Sequence, residues 1–161
     1  MPIFIIRPLT PIDHDWISQI MVTEWGAEIA VAHGEIFYPA SLPGFAAFIE
    51  SDHVGLLTYN IVRNDCEIVT LNSWRENVGV GAALIAASRE SAIQAGCTRL
   101  RVVTTNNNLH ALRFYQNRGF IITEVRENTI VESRLLKPQI PLFDNDGRPI
   151  SDEIELEMKL N

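Results

Sequence analysis

Two strand-like runs lead straight into a helix through two closely spaced glycines. This feature constrains the fold of the chain more than any other. Val54 to Val62 and Cys66 to Asn72 are rich in β-branched and apolar residues, and Arg63-Asn64-Asp65 between them has turn chemistry. They read as an antiparallel hairpin. The stretch ENVGVGAAL, residues 76 to 84, comes next. It opens a helical run from Val80 to Ala95 that is rich in alanine and is stopped by Gly96. A hairpin followed directly by a helix points to a sheet with helices packed on it.

The rest of the chain fits around this unit. Ile3 to Arg7 reads as a first strand, ended by Pro8. Asp13 to Trp25 has Trp16, Ile17, Ile20 and Met21 at helical spacing. Gly26 to Pro43 holds Gly34, Pro39 and Pro43 and reads as a broken helix and loop, and Phe45 to Glu50 as a short strand. Thr98 to Thr104 alternates as a strand should, Asn108 can cap a short helix ending at Gly119, and Phe120 to Val125 is a further strand. Asn128 to Pro149, with three prolines and the turn-like Asp144-Asn145-Asp146-Gly147, reads as a long excursion. In the last strand Ile154, Leu156, Met158 and Leu160 alternate with Glu155, Glu157 and Lys159, which predicts one wet face. The fold class expected is α/β (α+β), a mixed, mostly antiparallel central sheet flanked by helices, in one domain spanning residues 1–161.

Glycines before a helix have several meanings. A P-loop requires a Lys-Ser or Lys-Thr pair after the second glycine, which Gly81 lacks. A dinucleotide fingerprint requires a third small residue where Leu84 stands, and it follows a parallel strand rather than a hairpin. Two readings remain at this point. One is a tight strand-to-helix turn that only serves packing. The other is a pyrophosphate loop in which residues 76 to 82 present backbone N–H groups at a helix N-terminus.

The segment NNNLHALRFYQNRGF, residues 106 to 120, carries Asn108, Ala111, Tyr115, Gly119 and Phe120 in fixed order. Together with Glu76-Asn77-Val78-Gly79-Val80-Gly81 it resembles the GNAT superfamily of N-acetyltransferases. That family pairs a Q/R-x-x-G-x-G/A loop with a later N-x-x-A-x-x-x-Y-x-x-x-G-F segment. The order of elements is also similar, so the resemblance spans roughly Ile3 to Leu160. One position departs from the pattern: Glu76 stands where the family usually has Gln or Arg, with Arg75 beside it. If backbone amides alone hold the pyrophosphate, that side chain is free to vary. If side-chain charge helps, Glu76 opposes the ligand and Arg75 compensates.

The resemblance implies acetyl-CoA as co-substrate and direct attack of an acceptor amine on the acetyl thioester. It implies coenzyme contacts from Leu71 and Ser73 on a strand that splays from its neighbour, from Glu76, Asn77, Val78, Gly79, Val80, Gly81 and Ala82 in the loop, and from Asn108 and Tyr115. Tyr115 matches the tyrosine that protonates the departing thiolate; its other reading is a core aromatic. Asn108 has a helix N-cap as its other reading. Glu67 is the candidate general base, or else a solvated hairpin residue. His33, Tyr38 and Tyr59 are the candidate acceptor-site residues, while His110 reads as a surface residue. A non-catalytic acyl-CoA sensor is the alternative function.

Other classes find little support. The formal charge is -7, without the basic excess a nucleic-acid partner requires. No long apolar run suggests a membrane span, no leader is evident at the N-terminus, and a cytoplasmic location is expected. No HExxH or paired Cys/His set suggests a metal. Cys66 and Cys97 read as buried free thiols. The acceptor is expected to be a small-molecule or peptide amine. The C-terminal strand and the 128–149 excursion offer a surface for a homodimer.

Overall fold

The computed structural model describes residues 3–160. Seven strands form one sheet: β1 (Ile5–Pro8), β4 (Gly44–Ile49), β5 (Asp52–Val62), β6 (Asp65–Ser73), β7 (Arg99–Thr105), β9 (Glu153–Lys159) and β8 (Ile121–Arg126), in that spatial order. Only the β6–β7 pair is parallel; the other neighbours run antiparallel. The parallel pair is joined by α2 (Val80–Gln94), and α3 (Leu109–Asn117) connects β7 to β8. The other two helices are α1 (His14–Trp25) and α4 (Thr129–Leu136). The expected mixed, mostly antiparallel sheet with flanking helices is therefore present.

Helix α2 lies on one face of the sheet. Val80, Leu84, Ile85 and Ala92 bury there against Leu57, Cys66, Ile68, Leu100, Val102 and Leu156, and Tyr115 and Phe120 extend the same cluster. Burial of this apolar surface is the main stabilising term. Burial also pushes the Cys66 thiol up to about 12, so it stays protonated and inert. On the other face, Ile17 and Met21 of α1 cover Leu56. Asp13 secures the start of α1: its carboxylate accepts from both terminal nitrogens of Arg7 (2.8 and 2.7 Å), from Thr10 N–H (2.9 Å) and from the Trp16 indole (2.7 Å).

Two readings of the sequence are corrected here. Residues 26–43 are not a broken helix. They contain a small hairpin, β2 (Ala30–Ala32) with β3 (Glu35–Phe37), followed by a 3-10 turn at Pro39–Ser41. His33 (φ 42) and Gly34 (φ 80) form its two-residue turn with the left-handed backbone that tight hairpins use. Strands of three residues are too short to show periodicity among the prolines. The 128–149 excursion begins with α4, because all three of its prolines lie beyond Leu136. The C-terminal strand β9 is interior to the sheet, paired on one side by β7 and on the other by β8. The Asp144-to-Gly147 segment is a turn, closed by Asp144 accepting from the N–H groups of Asp146 and Arg148 (both 2.9 Å).

Candidate functional site

The site begins with a defect in the sheet. The β5–β6 register slips between Thr58 and Tyr59, leaving Val69 as an extra residue in β6. Such a bulge bends its strand. The β6–β7 ladder runs from Asp65↔Arg99 to Ile68↔Val102 and stops there. Beyond that point the two strands diverge, and the wedge between them opens into a cavity of about 390 Å³. Val69 and Leu71 line it from β6, Val103 to Thr105 from β7, Asn108 from the cap of α3, and Ala111 and Tyr115 from α3 itself.

Strand alternation sets which amides face the wedge. Trp74 N–H donates toward β5, to Val54 O (2.9 Å). Thr70 and Asn72 therefore point the same way, and the N–H groups of Leu71 and Ser73 point toward the open side.

After Ser73 the chain turns through residues 74–79 into α2. Gly79 holds φ 84, and a Cβ there meets nothing within 4 Å, so its role is backbone conformation. At Gly81 the reason differs. A Cβ would lie 3.0 Å from Phe114, so the absence of a side chain lets α3 approach the start of α2. Gly79 thus serves the turn through its backbone, and Gly81 serves the packing of α3 on α2. The first helical bond of α2 runs from Ala83 N–H to Gly79 O (3.0 Å), which leaves the N–H groups of Val80, Gly81 and Ala82 without a helical acceptor. No side chain caps them. Glu76 is exposed and forms no hydrogen bond or ion pair among the described residues, and Arg75 lies 3.8 Å from Asp52 at the surface.

Tyr115 is 6% exposed, packed edge-on against Phe114 and Phe120. Its hydroxyl has no hydrogen-bond partner among the described residues, and the residue borders the cavity. Burial raises the phenol well above its ordinary range, so it keeps its proton at neutral pH. The Asn108 side chain caps α3, accepting from Ala111 N–H (3.2 Å), and also borders the cavity.

The other end of the cavity lies on the opposite face of the sheet, under the β2–β3 hairpin. Glu67 is buried there, and both of its oxygens contact His33 Nε2, at 2.8 and 2.9 Å. The contact with Glu67 raises the imidazole above its usual value, against an opposing effect of burial. His33 N–H also donates to Glu153 (2.9 Å), which ties the hairpin turn to β9. Glu153 and Glu155 are buried rather than wet, contrary to the alternation of the strand. Arg126 bridges them at 3.2 and 3.1 Å, and Arg101 reaches Glu155 at 2.9 Å. Two guanidinium groups thus face three buried carboxylates, and the imidazolium form of His33 supplies the third positive charge.

The structure therefore joins Glu67 with His33, which the sequence left as unrelated candidates 34 residues apart. It does not bring Tyr38 or Tyr59 to them. Tyr38 is 60% exposed, and Tyr59 stacks on Phe45 at 6.4 Å on the α2 face; neither borders the cavity. His110 is exposed. Sequence reasoning missed Lys137, Glu153 and Trp25, all of which line the cavity. Lys137 and Trp25 carry no motif signal, and Glu153 is hidden by a pattern that reads as solvent-facing.

No group of His, Cys, Asp and Glu suited to a metal occurs among the described residues. No helix among them is long and apolar enough to cross a membrane.

Comparison with known proteins agrees with this architecture. The acetyltransferase (GNAT) family model matches residues 14–120, more than half of the chain. Bacillus subtilis (strain 168) YdhI, described as uncharacterized, is 41% identical over 152 residues, covering 93% of this chain and 94% of that protein. YxbD of the same organism, described likewise, is 33% identical over 156 residues, covering 96% and 98%. Among solved structures, the IAA acetyltransferase from Bacillus cereus ATCC 14579 superimposes with a TM-score of 0.75 at 17% identity, covering 98% of this chain and 100% of that one. A GNAT family acetyltransferase from Elizabethkingia anophelis with acetyl-CoA bound gives 0.70 at 21% identity, covering 98% of each chain. The open wedge and the uncapped amide end of α2 suit the same co-substrate. The chain belongs to the GNAT acetyltransferase family.

Proposed function

We propose that this chain is an N-acetyltransferase that moves the acetyl group of acetyl-CoA to an acceptor amine by direct attack. One observation carries the reading: the β6–β7 wedge runs from Tyr115 on the α2 face to Glu67 on the other, so acid and base meet through a single opening. The thioester supplies an activated acetyl carbon. The chain supplies the rest. The free amides of Val80, Gly81 and Ala82 receive the pyrophosphate, with the α2 dipole favouring its charge. Residues 76–79 shape that loop and contact the coenzyme through their backbone, which leaves the Glu76 side chain in solvent. Leu71 and Ser73 amides hold the acyl carbonyl and the arm behind it, and Asn108 borders the same channel. The His33–Glu67 pair takes the proton of the acceptor ammonium. Tyr115 donates its phenolic proton to the departing thiolate.

Two measurements test this. Calorimetric titration with acetyl-CoA should show binding, and free-thiol release should rise when a suitable amine from a panel of small amines and peptides is added. Binding without thiol release for any amine would favour the acyl-CoA sensor instead. Tyr115→Phe should lower kcat by about 10²-fold or more while leaving coenzyme affinity within a few-fold. Unchanged turnover removes Tyr115 from the acid role.

A further inference from the structure

We infer that Lys137 is the recognition group for a carboxylate on the acceptor, so that the substrates of this site are amines bearing a single carboxylate, such as amino acids. The inference rests on the N-acetyl transfer proposed above and narrows its acceptor class.

Lys137 follows α4 and borders the same cavity as Glu67 and Tyr115. It is only 5% exposed. Its Nζ lies 6.0 Å from the ring of Trp25, another wall of the cavity. Its position is held firmly. Lys137 N–H donates to Ser133 O (2.8 Å), and Arg134 donates to the carbonyls of Ile140 (3.2 Å) and Pro141 (2.7 Å), pinning the segment just beyond it.

What Lys137 lacks is an anion. Four side chains of ordinarily charged type line the cavity: Glu24, Glu67, Glu153 and Lys137. Glu24 accepts from the Trp74 indole (3.0 Å), Glu67 holds His33, and Glu153 is held by Arg126 and by His33 N–H. Lys137 has neither a salt bridge nor a side-chain hydrogen bond among the described residues. An ammonium partly withdrawn from water without a counter-charge is costly, and burial accordingly pushes Lys137 below its usual value. An anion arriving with the ligand removes that cost and favours the charged form.

The coenzyme is a poor source of this anion. The amides suited to its pyrophosphate lie at the start of α2, and no α2 residue borders the cavity. The acceptor is the remaining source. One unpaired positive charge matches one negative charge, and three carboxylates in the same walls disfavour a dianion such as a phosphate monoester.

The test uses the whole chain saturated with coenzyme A, so that binding is read without turnover. A set of α-, β- and γ-amino acids and their matched primary amides is titrated by calorimetry. At least one acid should bind about tenfold or more tightly than its amide. Lys137→Met should bring that pair to equal affinity, and Lys137→Arg should retain part of the difference. Unchanged coenzyme A affinity shows that each variant is folded. Equal binding of acid and amide throughout, or no binding of any acid, overturns the inference. Thiol release with acetyl-CoA, run in parallel, separates the two readings. Turnover of amines with no preference for the acid overturns the role of Lys137 and leaves N-acetyl transfer standing. Lys137-dependent acid binding without thiol release does the reverse.

Discussion

The two faces of β6, β7 and β9 are made by alternate residues of the same three strands, yet they are built from different chemistry. Toward α2 the strands present Cys66, Ile68, Leu100, Val102 and Leu156, closely packed and apolar. Toward the β2–β3 hairpin they present the buried Glu67, Glu153 and Glu155 and the partly buried Arg101, paired through charge. The first face is tolerant of detail, because apolar burial is non-directional. The second is directional, and it still leaves Arg101 Nε and Arg126 Nη2 without partners. Stability is concentrated on one face and the proposed acceptor chemistry on the other. The wedge at Ile68 and Val102 is the passage between them.

The largest effect should come from damaging each face in turn. Leu156→Ala should cost about 2–5 kcal/mol in urea unfolding through the cavity it leaves, with little dependence on pH. Arg126→Met should cost about 2–4 kcal/mol by leaving Glu153 without a cation and Glu155 with Arg101 alone. Adding Glu153→Gln to Arg126→Met should recover part of that loss, whereas adding it to Leu156→Ala should not. Strict additivity in both pairs would mean that the charged face is not a coupled network.

The next effect is kinetic. His33 is raised by Glu67, so the proton-accepting form appears above the ordinary imidazole value of about 6.5. The kcat/KM profile should therefore rise with pH and level off at a pH above that value. His33→Gln should lower the plateau by about 10²-fold and remove that limb. The sign for stability is opposite. A raised folded value means that the His33–Glu67 contact contributes fully below about pH 6.5 and is lost as pH rises through the folded value. A rising limb that survives in His33→Gln would assign the titration to another group.

The smallest effect concerns the apolar face. Gly79→Ala meets no atoms, so its cost is the left-handed backbone alone, about 1 kcal/mol. It should weaken acetyl-CoA binding several-fold in calorimetry while leaving the pH profile in place. A shift of the profile would show that the two ends of the wedge are not separable.

Much of the apolar half was legible along the chain. The hairpin of β5 and β6, the glycine-led α2, the Asn108 cap and the Tyr115 segment were all visible, because each depends on neighbours within a turn or a strand. The charged half was not. Glu155 and Glu157 alternate with apolar residues just as solvent-facing residues do, and only the Arg101 and Arg126 side chains from other strands turn Glu153 and Glu155 into buried ions. The β2–β3 hairpin was hidden because three-residue strands carry no period.

By itself, then, the sequence determined the order of elements, the loop that leads into α2 and the resemblance that goes with it, since local periodicity, turn residues and motif spacing are properties of contiguous chain. Tertiary structure alone decided that His33 meets Glu67, that Tyr38 and Tyr59 lie elsewhere, and that Lys137 stands buried and unpaired in the cavity. Those facts depend on which charges neutralise one another across strands and loops far apart in the chain, and no local pattern encodes such a pairing.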